Sequence, residues 1–189
     1  MPTTGPPTLP GRSQAAGTLA LRPLTRRDEP AARAAHHELE TDHLCFLLDE
    51  NEAQTWAEYV DRLAQVSARI PAGQDRVPAT ILVADVAGQI VGRTCIRHEL
   101  NDYLAAFGGH IGSCVRPQFR RRGYAGQILR QSLERARALG INRALVTCDD
   151  DNIASATVIE GCSGVLESVA AAPDGGPPRR RYWVDTAPR

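Results

Sequence analysis

Apolar and polar positions change period several times along the chain, and each change marks an element. Residues 18–24 alternate and read as a first strand. Thr25 with Asp28 three residues on resembles a capping box, and Pro30 follows at the helix start. A helix to about residue 40 is predicted. Trp56, Tyr59, Val60, Leu63 and Ile70 recur at helical spacing, so residues 52–69 are predicted as a second amphipathic helix, ended by Pro71 and Gly73. Residues 79–86 and 89–99 flank Ala87-Gly88 and read as a hairpin. Residues 109–115 make the next strand. Over residues 123–139, Ala125, Ile128, Leu129, Leu133, Ala136 and Leu139 form one stripe, and Gly140 caps the end. A buried strand (142–148), a short helix (152–160) and two closing strands (165–169 and 180–184) complete the pattern.

The order β-α-α-β-β-β-α-β-α-β-β embeds one strand–helix–strand unit among hairpins. It predicts a mixed α/β fold: a central sheet of about seven strands with helices on both faces. The 189 residues suit one domain, expected over 18–189. Residues 1–17, with Pro2, Pro6, Pro7 and Pro10 among Gly, Ser and Thr, read as a disordered tail. Residues 172–178 read as a loop between two late strands.

Charge narrows the function. The 22 basic and 22 acidic residues cancel, which argues against a general nucleic-acid binder using Arg120–Arg122 and Arg179–Arg181. Residues 180–182 read instead as a charged edge strand. No apolar run approaches a membrane span, and the first 20 residues lack a signal peptide's order. Five scattered cysteines without Cys-x-x-Cys spacing read as free thiols of a reducing cytoplasm, with no metal or disulfide role.

The candidate chemistry lies in Val115-Arg116-Pro117-Gln118-Phe119-Arg120-Arg121-Arg122-Gly123-Tyr124-Ala125-Gly126. An apolar strand passes through a basic turn into a helix with a glycine-rich first turn. Such a junction points free N–H groups at one spot at the positive end of the helix dipole, where a pyrophosphate fits. Gly123 permits close approach, and Ala125 and Gly126 keep the first turn clear. The Walker A and dinucleotide-binding fingerprints are both absent.

The spacing Arg120-x-x-Gly123-x-Ala125 resembles the acyl-CoA-binding motif of the GNAT superfamily of N-acetyltransferases. The order of elements is similar to the GNAT fold from Leu19 to about Val184, with the anion loop between fourth strand and third helix. The resemblance implies acetyl-CoA as co-substrate and no metal. It implies that the fourth and fifth strands splay, with Ser113, Cys114 and Val115 presenting an edge to the pantetheine arm. The amides of Arg121, Arg122, Gly123, Tyr124, Ala125 and Gly126 would hold the pyrophosphate, with Arg120 beside them. Asn152 matches the asparagine that many relatives place against the pantetheine, and Ser155 sits one turn later; Asn152 is equally placed to be an N-cap. Cys114 reads as a packed residue, because direct transfer needs no covalent intermediate.

One departure concerns the acid. Many members carry a tyrosine seven residues after that asparagine, and this chain has Ile159; the following Gly161-Cys162-Ser163-Gly164-Val165 is altered too. For the base, His110 is the first candidate, sharing a strand face with Gly112 and Cys114 by alternation, against a purely structural role. Glu99 and His98 come second. Gly108-Gly109-His110-Ile111-Gly112 and Arg97-His98-Glu99-Leu100-Asn101 also resemble a bacterial subgroup of predicted acetyltransferases. The acceptor is expected to be the amine of a small molecule or peptide. Asp49, Glu50 and Glu52 either attract that cation or simply suit a helix start. A homodimer is compatible with the fold. The rival to an enzyme is a GNAT-fold module that binds or senses acyl-CoA without turnover.

Overall fold

The computed structural model describes residues 18–51, 53–68, 77–171 and 175–187. The expected tail (1–17), Glu52, Ile70, Pro71, Gly73 and residues 172–174 of the late loop lie outside the described residues. The strands are β1 (Leu19–Arg22), β2 (Ala79–Val86), β3 (Gln89–Arg97), β4 (Ile111–Val115), β5 (Arg143–Asp149), β6 (Val165–Ala170) and β7 (Arg179–Asp185). The α-helices are α1 (Glu29–Glu40), α2 (Trp56–Ala68), α3 (Tyr124–Ala138) and α4 (Ile153–Gly161). The strands form one mixed sheet in the order β1-β2-β3-β4-β5-β7-β6.

Local chemistry fixes most boundaries. The Asp28 carboxylate accepts from the Thr25 N–H and hydroxyl, both at 2.7 Å, and from Arg22, so the capping box also ties the first strand to α1. A second such box starts α2 at Trp56, later than predicted: Glu58 accepts from the Thr55 N–H (2.8 Å) and hydroxyl (2.7 Å). Ala87 (φ 51°) and Gly88 (φ 82°) make the left-handed turn of the β2–β3 hairpin. Gly140 (φ 86°) ends α3, with Ile141 N–H on Ala136 O and Gly140 N–H on Arg137 O. Leu139, expected in the buried stripe, lies past the helix end and is exposed; Ser132 takes a buried place, its hydroxyl bonded to Thr94 Oγ1 and Ile128 O.

Apolar side chains pack on both faces of the sheet. Leu39, Phe46, Trp56, Tyr59 and Val83 pack under α1 and α2. Ile111, Leu129, Leu133, Val146 and Tyr182 pack with α3 and α4 on the other face. Two strand expectations are corrected. β4 begins at Ile111 because residues Leu104–Gly108 wind into a short π-helical turn and Gly109 (φ 64°) kinks the chain before the ladder starts. The arginine-rich β7 is not an edge strand. It lies between β5 and β6, with Tyr182 and Val184 fully buried, so β6 is the edge. Its arginines meet acids: Arg179 with Asp149, Arg180 with Asp150 and Arg181 with Glu167. Among the described residues no helix is long and apolar enough to cross a membrane.

Candidate active site

The sheet is interrupted at its centre. β4 and β5 run parallel but pair only at Ile111↔Val146. On its other side β4 pairs with β3 from Ile96↔Ile111 to Gly92↔Val115, with Arg97 N–H on His110 O and Arg116 N–H on Val91 O. That register turns the backbone groups of Gly112 and Cys114 toward β3 and those of Ser113 and Val115 toward the gap. Ser113 is exposed there, whereas the Cys114 thiol packs into the core under α1 and α2. Cys114 therefore spaces the two residues that face the gap. The Val115 carbonyl already accepts Arg120 Nε at 3.2 Å, leaving its N–H.

The gap leads to the turn before α3. Arg121 (φ 62°) and Gly123 (φ 78°) both adopt left-handed backbone, and α3 has no side-chain cap. Gln127 is the first residue whose N–H returns to the helix start, on Gly123 O at 3.3 Å. The N–H groups of Tyr124, Ala125 and Gly126 thus form a concave cluster of donors at the positive end of the dipole. A Cβ at Gly123 would meet nothing within 4 Å, so the approach is open and the glycine supplies the backbone angle. The arginines have other partners: Arg120 pairs with Asp42, Arg122 lies over Phe119 at 5.5 Å, and Arg121 is exposed. Amides, helix dipole and the exposed Arg121 and Arg122 together make the turn positive.

Asn152 does cap α4: its Oδ1 accepts the Ser155 N–H at 3.0 Å, which leaves the amide NH₂ to donate elsewhere. Ile159 is buried in the core between sheet and helices. His110 sits where the gap begins. Its N–H donates to Leu145 O (2.7 Å), its carbonyl accepts from Arg97 on β3, and its Nδ1 accepts the Leu145 N–H (2.9 Å). The Gly109 kink therefore takes His110 out of the strand alternation that was expected to align it with Gly112 and Cys114. An Nδ1 that accepts a backbone N–H leaves the ring proton on Nε2. Burial, then the Arg97 charge, pushes its pKa below the usual histidine value. His98 Nε2 meets Thr80 Oγ1 at 2.8 Å, and burial lowers its pKa too. Glu99 is exposed beyond the end of β3.

A cleft of about 850 Å³ lies between α2, the ends of β2 and β3, and the segment at 101–104. Leu63, Val66, Ile81 and Cys95 give it an apolar floor; Asp49, Arg62, Arg97, Asp102 and Tyr103 give it charge and an aromatic rim. Burial holds the Cys95 thiol above its ordinary pKa. Arg97 Nη1 lies 3.8 Å from where a Cβ on Gly112 would stand, so the cleft reaches β4 beside the gap. Of the expected acids, Asp49 lines this cleft and Glu50 pairs with Arg33 at 2.6 Å.

Several functional contacts escape sequence reasoning. Five successive carbonyls, four of the π-helical turn and that of Gly109 after it, are collected by three side chains from separate strands. Arg181 Nη1 reaches Ala105 O and Ala106 O, Thr147 Oγ1 reaches Phe107 O (2.7 Å), and Arg97 Nη1 reaches Gly108 O and Gly109 O (3.0 Å each). Buried Arg116 forks onto Glu38 at 2.6 and 2.9 Å just before the anion turn. The only sequence signal for the first set is the Gly108-Gly109 pair; for Arg116, its place after an apolar strand.

A family model described as an acetyltransferase (GNAT) domain matches residues 18–163. No curated protein matches the chain in sequence. Among solved structures, the microcin C7 self-immunity acetyltransferase MccE, in complex with acetyl-CoA and AMP, superposes with a TM-score of 0.63 at 14% identity, covering 88% of this chain and 92% of that one. RimJ of Mycobacterium smegmatis, in complex with CoA-disulfide, gives 0.62 at 18% identity over 89% and 82%. A putative ribosomal-protein-serine acetyltransferase of Vibrio cholerae gives 0.60 at 19% over 88% and 93%. At such identities the likeness concerns the fold.

Proposed function

Because the chain belongs to the GNAT acetyltransferase family, we propose that it moves an acetyl group from acetyl-CoA to a primary amine of a small molecule or peptide by direct transfer. The observation that carries this reading is the β4–β5 gap, with open backbone at Ser113 and Val115, running into the uncapped turn at Gly123 on one side and the cleft at Gly112 on the other. When bound, acetyl-CoA supplies the activated acetyl group as a thioester.

Each residue then has a task. The amides of Arg121 through Gly126 bind the pyrophosphate, with Arg120 holding the turn to Asp42. Ser113 and Val115 offer backbone groups to the pantetheine amides in the manner of an added strand, and the free Asn152 amide donates from α4. The cleft holds the amine. The new bond joins nitrogen to the acetyl carbon, and the broken bond is carbon to sulfur. The amine gives one proton to solvent and the departing sulfur takes one from solvent, since Ile159 replaces the tyrosine of the family pattern. His110, its Nδ1 engaged by Leu145, pins β4 to β5 at the gap's closed end; proton acceptance by that nitrogen would require releasing Leu145. We place the reaction in the cytoplasm, where its cysteines stay reduced.

Gly123→Asp tests the reading by adding bulk and negative charge at the proposed pyrophosphate site. Calorimetry should show a sharp loss of acetyl-CoA affinity with an unchanged circular dichroism spectrum. Unaltered affinity would reject the site. Acetyl-CoA binding without CoA release for any amine would favour a sensing module over an enzyme.

A further inference from the structure

Arg97 in the cleft and Arg93 further along the same strand carry guanidinium groups that acetyl transfer alone does not require. Arg93, Cys95 and Arg97 share one face of β3 by alternation. Arg93 is only 8% exposed, yet Nη2 donates only to Cys45 O (2.7 Å) and Nε has no partner. Arg97 lines the cleft beside β4. Two carbonyls occupy its Nη1, and no acceptor among the described residues meets its Nε or Nη2. Other arginines set into the fold reach a carboxylate: Arg22 reaches Asp28 and Asp85, Arg116 reaches Glu38, and Arg181 reaches Glu167. A buried cation without an acid is costly to keep. Buried Arg93 and half-buried Arg97 on one strand face, the latter opening into the cleft, mark the place for an external anion.

We infer that the acceptor is an α-amino acid whose carboxylate docks on Arg97, with the Arg93 charge behind it. This rests on the acetyltransferase reading above. The fork of Arg97 Nε and Nη2 matches a carboxylate bidentately. Because Arg97 Nη1 lies 3.8 Å from where a Cβ on Gly112 would stand, a carboxylate on the other edge of the same guanidinium stays within a residue's reach of the start of the gap, with its amine one carbon away. The side chain then lies over Leu63, Val66 and Ile81. A simple alkylamine brings no carboxylate for Arg97 and meets Asp49 and Asp102 of the same lining only through its ammonium.

The test measures CoA release from acetyl-CoA for matched pairs: leucine against isoamylamine, and phenylalanine against phenethylamine. The amino acid of each pair should show kcat/KM at least about 100-fold higher, as a site built for a polar group rejects the analogue lacking it. Arg97→Gln should raise KM for the amino acid and bring the ratio toward one, while calorimetric affinity for acetyl-CoA stays unchanged. Calorimetry of leucine into the CoA-bound protein should show binding that isoamylamine does not. Equal rates within the pairs, or preference for the simple amine, overturns the inference and leaves acetyl transfer standing. Release with no amine of either kind, from protein that binds acetyl-CoA, overturns the transfer reading and this inference with it.

Discussion

Removing the charge of Glu38 should unsettle the anion turn from behind. Arg116 leaves β4 with its guanidinium nearly enclosed, 11% exposed, forked onto a Glu38 carboxylate that is 32% exposed. Its Nη1 donates to Ile90 O at 2.9 Å, and the Phe119 ring lies 5.5 Å away. Glu38→Gln keeps the packing and leaves a buried cation without its acid. Breaking a fully buried pair costs about 3–5 kcal/mol; water reaching the Glu38 side reduces this to about 2 kcal/mol here. For a chain of this size that lowers the thermal midpoint by about 4–8 °C. The Arg116 hydrogen bonds hold the Glu38 carboxyl below its ordinary range. A depressed folded-state pKa means that the stabilisation is complete above the unfolded value and disappears as pH falls through the folded one. Wild type and variant should therefore differ most near neutrality and converge once the pH has fallen below the depressed Glu38 value. Pairing Glu38→Leu with Arg116→Met should restore most of the stability. Urea denaturation across pH checks this. A loss under about 0.5 kcal/mol at neutral pH, or a difference that persists undiminished in acid, would refute the reasoning.

Gly92→Ala should cost about 3 kcal/mol in urea denaturation, since its Cβ would stand 2.4 Å from the Cys114 carbonyl oxygen, which cannot move without breaking the ladder. A variant as stable as the wild type would show that β3 and β4 can shift apart. His110 is depressed below 6.5, so its share of stability is complete above that pH and is lost on acidification; His110→Gln should flatten the fall in thermal midpoint between pH 7 and 5. If His110 only pins Leu145, turnover in a stable variant also keeps its pH profile, whereas loss of the acidic limb restores the base role. Tyr124→Phe and Tyr103→Phe should each retain activity within about tenfold, a barrier change near 1.4 kcal/mol; a loss of several hundredfold with acetyl-CoA binding intact would identify a tyrosine acid.

Features encoded over a few residues were legible in the sequence: the Thr25–Asp28 box, the Ala87-Gly88 turn, the Gly140 cap and the strand-to-helix junction at Gly123. The Thr55–Glu58 box was equally local and starts α2 four residues after the predicted position. Features made by distant partners were not legible. Nothing near Arg97, Thr147 or Arg181 announces that all three converge on one turn. Likewise, β7 reads as an edge because its arginines look solvated, whereas the acids that neutralise them sit on β5, on β6 and in the loop after β5. The motif marked the turn proposed to take the anion; it was silent on whether its arginines face a ligand or a neighbour.

The single Ile111↔Val146 pair has a further meaning for how the chain assembles. β1 to β4 form a meander of antiparallel neighbours, and β5, β7 and β6 form a second unit later in the chain. Both can close over modest loops. Their junction is parallel, spans 35 residues and must await α3, so loop-closure entropy makes it the slow step. Evolution had little to dismantle there. The proposed binding gap occupies the one seam that would have been last to zip, and leaving it open sacrifices the slowest pairing in the sheet.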